Sequence, residues 1–218
     1  MIPLGDDREL RRAPIAVWSL FALCVAGYFL LLLAPPELRL EIIDRYGVVP
    51  ARYQDLTHLT LRDLTPLLTN LFLHGGPFHL LLNLWLLVIF GDDVEDALGP
   101  WRFLLLFFLC GLFANLTHIR THPGLTVPAI GASGAISGVL AAYMVLFPRV
   151  HIRVLLFPLP LVAQLPAIAA LGIWAVLQMG EALFATDYAT SWMGHVAGLA
   201  AGFVLTPFLV GLWDQEEK

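Results

Sequence analysis

The segment GASGAISG, residues 131–138, begins a long apolar stretch with three glycines and two serines. Glycines four residues apart occur within it and again near the C-terminus: Gly134 and Gly138, then Gly194, Gly198 and Gly202. Small residues at this spacing let two helix backbones approach closely within lipid. The two segments therefore predict a pair of tightly packed helices, one with Ser133 at its start and the other carrying His195.

The composition predicts that these helices lie in a membrane. Of 218 residues, 59% are hydrophobic and 13% are charged, whereas a soluble domain has roughly 25% charged residues. Since a membrane-spanning helix needs about 20 apolar residues, the chain offers six candidate spans: 15–34, 77–94, 101–119, 131–147, 161–183 and 192–212. We expect an all-α, polytopic bundle of six transmembrane helices, with the lipid bilayer as a partner.

These spans divide the chain into three parts. Residues 1–14 form an expected cytoplasmic N-terminal segment, residues 15–212 the membrane domain, and residues 213–218 a C-terminal tail. Lys and Arg residues, counted on alternate sides, mildly favour cytoplasmic N- and C-termini. No basic cluster exists, so we expect no nucleic-acid partner.

Two connections have distinctive patterns. The first, residues 35–76, alternates charged and apolar residues and contains several prolines, which predicts short helices lying in the headgroup layer. The second, residues 148–166, is basic and interrupted by prolines, and it is interpreted as an interfacial turn on the cytoplasmic side. The span after residue 77 has a short, largely apolar part, residues 78–90, so its helix is expected to begin inside the protein beside a polar cavity.

Polar side chains within membrane spans are costly and usually functional or directed into the bundle. The candidates are His79, Asn83, Ser133, Ser137 and His195, with His74 immediately before the second span. Each could have a structural role by itself, since a serine can bond its own helix backbone and a histidine can join helices. Together they supply a hydroxyl nucleophile, an imidazole base and further donors for an oxyanion, the groups that acyl transfer requires.

The positions of these residues suggest their roles. Ser133 opens a helix, where backbone amides have no partner within the helix and the dipole is positive. His79 and Asn83 are four residues apart, so they share one helix face and can donate to the same oxygen. Because neither the fourth nor the sixth span contains a carboxylate to orient His195, the pattern predicts a Ser-His dyad.

Three motifs in this order resemble the rhomboid family of intramembrane serine proteases. They are HGGPFHLLLN, with His74, His79 and Asn83, then GASG, with Ser133, and HVAGLAAG, with His195. The YGVVPAR segment and the segment around Glu95 add to a similarity over residues 15–210.

The resemblance implies the roles of the site residues. Ser133 would be the nucleophile, His195 the base, His79 and Asn83 the oxyanion donors, and His74 a support for the cavity. Helix packing would rest on Gly131, Gly134, Gly138, Gly194, Gly198 and Gly202.

The resemblance also implies an active site open toward the outside of the cell and substrates that are single-span membrane proteins. We expect an integral protein of a bacterial or archaeal cell membrane, with no cofactor and no metal. One departure is Ser137, because family members often carry an aromatic residue there that stacks on the base. The base of this chain must be oriented by other contacts.

Three other functions are compatible with parts of the pattern. A channel or transporter could line its path with these His and Asn side chains, but it would not require Ser133 at a helix start. A catalytically silent relative that binds client helices would be expected to lack Ser133 or His195. A metal site from His74, His79 and His195 is a third possibility, although the chain has no HExxH motif and no cavity carboxylate.

Overall fold

The computed structural model describes residues 1–55, 60–156, 158, 161–184 and 191–216. The helices are α1 (Ile15–Leu33), α2 (Pro36–Tyr46), α3 (Leu61–Leu64), α4 (Pro66–Thr69), α5 (Pro77–Leu98), α6 (Pro100–Thr121), α7 (Ser133–Leu146), α8 (Ala167–Phe184) and α9 (Trp192–Glu216). The strands are β1 (Ile2–Gly5), β2 (His151–Leu156) and β3 (Leu161–Pro166), and short 3₁₀ turns cover Pro50–Tyr53 and Asn70–Phe72.

Five helices are long and apolar enough to cross a membrane: α1, α5, α6, α8 and the Trp192–Gly211 part of α9. The predicted polytopic, helical membrane protein is therefore confirmed, but the count of six spanning helices is not. Helix α7 has 14 residues, and at 1.5 Å per residue its length of about 21 Å is less than the ~30 Å of a hydrocarbon core.

The surface of the bundle is apolar and its interior is partly polar. Leu33, Phe78, Trp101 and Phe184 are each about four fifths exposed, and a soluble protein rarely exposes so much large apolar surface. The buried residues include histidine and asparagine side chains from helices and from the connection before α5: Asn70, His74, Asn83 and Asn115. Apolar faces thus point toward the surroundings and polar groups point inward, as lipid requires.

Helix α5 is longer than its apolar part indicated. It runs four residues beyond the predicted end at residue 94, and Asp93, Glu95 and Asp96 in its last turns are buried. The carboxylate of Glu95 accepts the backbone N–H groups of Ala16 and Val17 at 2.9 and 2.8 Å, which caps the first turn of α1. The acidic end of α5 therefore has partners inside the protein, which lets the helix continue.

The N-terminal segment supplies the other partners. Arg8 forms an ion pair with Asp93 at 2.7 Å, and the backbone N–H groups of Arg11 and Arg12 donate to Asp96. Residues 1–14 are thus tied to the end of α5 and the start of α1.

A three-stranded antiparallel sheet was not predicted. It has the order β1-β2-β3, with His151 opposite Pro166 and Ile2 opposite Leu155. The predicted fifth span was wrong at its start, because residues 161–166 form β3 and the helix begins at Ala167. Residues 151–154 alternate between exposed and buried side chains, the period of a strand, so the connection is a hairpin.

The segment that leads into α7 is held by the first connection. Val48 and Ala129 exchange two backbone hydrogen bonds of 3.0 and 2.8 Å, and the N–H of Gly131 donates to the carbonyl of Asn70 at 2.9 Å. These contacts fix the backbone two residues before Ser133.

Candidate active site

Ser133 and His195 form a direct hydrogen bond between α7 and α9. Ser133 is the first residue of α7, and its Oγ lies 2.8 Å from Nε2 of His195, which is in the first turn of α9. The two residues are 62 positions apart in sequence. The structure therefore places the predicted nucleophile and the predicted base within proton-transfer distance.

The other ring nitrogen of His195 contacts helix α8. Nδ1 lies 2.7 Å from Oε1 of Gln178. An amide oxygen can only accept, so Nδ1 carries the proton and donates it to this bond. In the neutral imidazole Nε2 is then left with a lone pair, and it accepts from the hydroxyl of Ser133.

Glycines bring α7 and α9 together at this point. A Cβ on Gly198 would overlap the carbonyl oxygen of Gly134, and a Cβ on Gly202 would overlap that of Gly138. Gly194, by contrast, lies against α6, where a Cβ would be 3.2 Å from the carbonyl oxygen of Ala114.

Helix α6 packs against the same glycine face of α7. A Cβ on Gly134 would overlap the methyl group of Ala114, and a Cβ on Gly138 would overlap the side chain of Cys110. Cys110 is fully buried there and acts as a small apolar residue. Three backbones thus meet beside Ser133 because glycine occupies the contact positions.

His79 and Asn83 line the same cavity from α5. The cavity has a volume of about 340 Å³, and its wall also includes Ser133, His195 and Gly131. One N–H of the Asn83 amide donates to the carbonyl of His79 at 2.9 Å, which leaves the second N–H of the amide for another acceptor. The structure thus brings both predicted oxyanion donors to the cavity that holds Ser133.

Gly131 contacts His79 in a conformation that favours glycine. Its φ is +123°, and a Cβ on it would be 2.7 Å from Cε1 and Nε2 of His79. Only glycine adopts this backbone conformation without strain. Gly131 therefore positions the imidazole of His79 and does not take part in packing of α7 against α9.

His74 lies behind His79 and does not line the cavity. The two rings make an edge contact with centroids 5.1 Å apart, and His74 is 1% exposed. Burial, followed by the neighbouring His79, lowers the pKa of His74 to about 4. His74 is consequently neutral near pH 7 and supports the ring of His79 by packing.

Two residues decide how the base is oriented without an aromatic side chain at position 137. Ser137 is buried, and its hydroxyl donates to the carbonyl of Ser133 at 2.8 Å. The ring of Trp192 lies edge-on to the ring of His195, with centroids 5.6 Å apart. The contacts that hold the imidazole thus come from Trp192 and Gln178.

The sequence interpretation missed three polar residues at the cavity, Gln178, Asn70 and Asn115. The amides of Asn70 and Asn115 pair reciprocally at 3.0 and 2.9 Å, and Asn115 also donates to the carbonyl of Leu67. Gln178 and Asn115 lie within apolar helices, so the rule that intramembrane polar residues are significant could have found both.

Side chains of the types that bind metal ions do not cluster in the part of the chain that the structure describes. There, no set of three or more His, Cys, Asp or Glu side chains could hold an ion. His74, His79 and His195 do not form such a set, although all three are described.

Comparison with known proteins gives a consistent family assignment. The Rhomboid domain matches residues 61–212, which is more than half of the chain. A Bacillus subtilis protein named "Putative rhomboid protease YdcA" is 32% identical over 142 residues, 64% of this chain and 64% of that protein. "Rhomboid protein 1, mitochondrial" of Saccharomyces cerevisiae is 29% identical over 142 residues, 62% of this chain and 40% of that protein.

A third relative carries a different functional name. "Inactive rhomboid protein 1" of Drosophila melanogaster is 28% identical over 144 residues, 66% of this chain and 9% of that protein. The chain spans less than two thirds of the length of each of these three relatives.

Proposed function

The chain belongs to the rhomboid family, and we propose that it is an intramembrane serine endopeptidase that uses Ser133 and His195 as a catalytic dyad. The observation that carries this proposal is the 2.8 Å hydrogen bond between the Ser133 hydroxyl and Nε2 of His195. The bond lies at a cavity inside a bundle of apolar helices, and hydrolysis by Ser133 requires that water enters this cavity.

The proposed reaction follows from this geometry. Oγ of Ser133 attacks the carbonyl carbon of the scissile peptide bond while Nε2 of His195 takes the hydroxyl proton. His195 then gives that proton to the leaving amine as the carbon–nitrogen bond breaks. Water attacks the resulting acyl ester with His195 again as base, which releases the acid product and restores Ser133.

The oxyanion formed in each step would be stabilised from two sides. The free N–H of the Asn83 amide and a ring N–H of His79 approach from α5. The backbone amides at the start of α7 have no acceptor within the helix and lie at the positive end of its dipole. Donors already in place at the developing charge lower the barrier without reorganising water.

The substrates that fit this site are membrane proteins, and we propose that they have a single span. A peptide bond within a helix is shielded, so the substrate must unwind locally to reach Ser133, and freed backbone groups are costly in hydrocarbon. Cleavage near the outer end of the span, after a small side chain, suits a pocket walled by Gly131 and the backbone of α7.

The protein is a multi-pass integral membrane protein. A bacterial or archaeal cell membrane remains our prediction for its location, and the relatives include both a bacterial protein and a mitochondrial one. Fractionation of the native cells, with detection of the protein by antibody, would determine in which membrane it resides.

A fluorophosphonate probe tests the proposed function directly. The purified protein should be labelled, and Ser133→Ala should remove both labelling and cleavage of a reconstituted substrate. Ser137→Ala is the matched control, because its hydroxyl is bonded to the carbonyl of Ser133 and should not react. Labelling that survives Ser133→Ala and disappears in Ser137→Ala would reassign the nucleophile.

The base is tested separately. His195→Asn should leave a folded protein that neither reacts with the probe nor cleaves the substrate. Substantial turnover by this variant would rule out the dyad.

The similarity to a relative that is named inactive makes client binding without cleavage the second candidate. That function predicts capture of a membrane protein by crosslinking and no probe reaction in the wild type. Probe labelling that depends on Ser133 would exclude it.

A further inference from the structure

We propose that Gln178 is a positioning residue for the base, in the place that a carboxylate occupies in a Ser-His-Asp triad. This inference rests on the proposed function and concerns how the dyad is kept in its reactive form. The structure assigns the role through the 2.7 Å contact between Oε1 of Gln178 and Nδ1 of His195.

The contact selects one tautomer of the imidazole. A neutral histidine carries its proton on one ring nitrogen, and the hydrogen bond at one nitrogen determines the state of the other. With Nδ1–H donating to Gln178, Nε2 presents a lone pair to the hydroxyl of Ser133. With the proton on Nε2 instead, the ring would donate to Ser133 and could not take its proton.

Gln178 orients the ring but does not take a proton from it. When the hydroxyl proton of Ser133 moves to Nε2, both ring nitrogens carry protons, and Nδ1–H remains bonded to the amide oxygen. The amide oxygen stabilises this cation less than a carboxylate would, because it has no formal charge. The neutral partner thus favours a base that is unprotonated near neutral pH.

Among the described residues, the ring of His195 is hydrogen-bonded to Gln178 at Nδ1 and to Ser133 at Nε2, so Gln178 is the partner that sets the tautomer. From the described residues, the cavity wall around the imidazole contains Ser133 of α7, Trp192 of α9 and His79 of α5, and the titratable side chains among the lining residues are His79 and His195. The edge-on ring of Trp192 restricts the orientation of the imidazole plane. An aromatic edge cannot accept a hydrogen bond from Nδ1–H, so Trp192 does not select the tautomer.

Helix α8 gives a favourable place for substitution. Its buried residues, Ala167, Ala170 and Leu171, all lie in its first five positions, and Gln178 is half-buried. A change at Gln178 therefore removes the hydrogen bond with little loss of packing. Leu177, which is 61% exposed, offers a neighbouring control position.

The test compares Gln178→Leu, Gln178→Glu and Leu177→Ala with the wild type. Gln178→Leu should lower kcat by about tenfold to a hundredfold with KM nearly unchanged, and Leu177→Ala should match the wild type. Gln178→Glu keeps an acceptor, so it should restore most of kcat. Its negative charge favours the imidazolium, so the acid limb of the kcat/KM profile should move to higher pH.

A second measurement does not require activity. Nitrogen-15 NMR of the histidine rings, assigned by comparison with His195→Asn, should show the proton on Nδ1 in the wild type and a shift toward Nε2 in Gln178→Leu. A wild-type proton on Nε2, or a Gln178→Leu variant with wild-type kcat and pH profile, would overturn the positioning role. An inactive wild type with an Nδ1 proton that depends on Gln178 would refute the proposed function and retain the positioning role.

Discussion

Gly198 of α9 lies against the carbonyl oxygen of Gly134 of α7, so close that a Cβ on Gly198 would overlap that oxygen. Gly134 directly follows Ser133, and Gly198 is three residues after His195. The contact between the two glycines therefore determines how near the hydroxyl and the imidazole can come. The packing of α7 against α9 therefore sets the distance between the proposed nucleophile and the proposed base.

Gly198→Ala should separate α7 from α9. The new methyl group must displace backbone atoms, because a carbonyl oxygen cannot move away as a flexible side chain would. We expect a fall in kcat of more than about tenfold and a loss of stability of about 1–3 kcal/mol, measured by cleavage and by thermal unfolding in detergent. Gly172→Ala on α8 is the matched control, since nothing lies within 4 Å of its Cβ position; equal effects of both changes would contradict the packing argument.

Gly131→Ala should displace His79. Its φ of +123° strains any other residue, and the added Cβ would meet the imidazole at 2.7 Å. Rates of labelling by the fluorophosphonate should fall by about tenfold or more, because the donor moves away from the site of the oxyanion. Gly124→Ala in the same connection has open space around it and should react at the wild-type rate. Wild-type labelling by Gly131→Ala would show that His79 need not hold this position.

Asn83→Ala should lower kcat by about 10² to 10³ with KM nearly unchanged, as expected for loss of one oxyanion donor. Steady-state kinetics on a reconstituted substrate gives both constants. Asn115→Ala is the comparison, because its amide pairs with Asn70 and its loss should reduce the melting temperature more than kcat. An Asn83→Ala variant with unchanged kcat and reduced stability would make Asn83 a structural residue.

His74 should make the fold sensitive to acid. Its pKa is lowered to about 4 in the folded protein, against about 6.5 in an unfolded chain. The unfolded state thus binds the proton first, and stability that is fully present above pH 6.5 is lost as the pH falls toward 4, by up to about 3 kcal/mol. Unfolding curves across this range should be flatter for His74→Leu than for the wild type; parallel curves would mean that His74 does not control the acid sensitivity.

Substrates should be selected by how easily their helices unwind. A series of single-span substrates in which the Gly or Pro near the cleavage site is replaced by Leu, with the cleavage residue untouched, should be cut more slowly, because leucine stabilises a helix relative to either residue. Turnover is followed by gel electrophoresis of the products in liposomes. Equal turnover across the series would show that unwinding does not select substrates.

Much of the helical framework could be predicted from local sequence. The first span was expected at 15–34 and is α1, Ile15–Leu33, because an almost entirely apolar stretch of nineteen residues satisfies its backbone groups in lipid only as a helix. The start of α7 at Ser133 and the shared face of His79 and Asn83 likewise follow from helix geometry. The glycine spacing predicted the contact between α7 and α9, because two helix backbones can approach closely only where neither carries a side chain at the contact.

Contacts between distant segments were decided by the tertiary structure. The end of α5 depends on the partners that Asp93 and Glu95 find in the N-terminal segment and α1, and β1 forms only because β2 offers it an edge. The bond between Gln178 and His195 depends on which face of α8 meets α9. The helical periodicity of a single segment does not predict which face that is. Apolar length and glycine spacing are properties of a single stretch of chain, whereas the orientation of the base arises from three helices packed together.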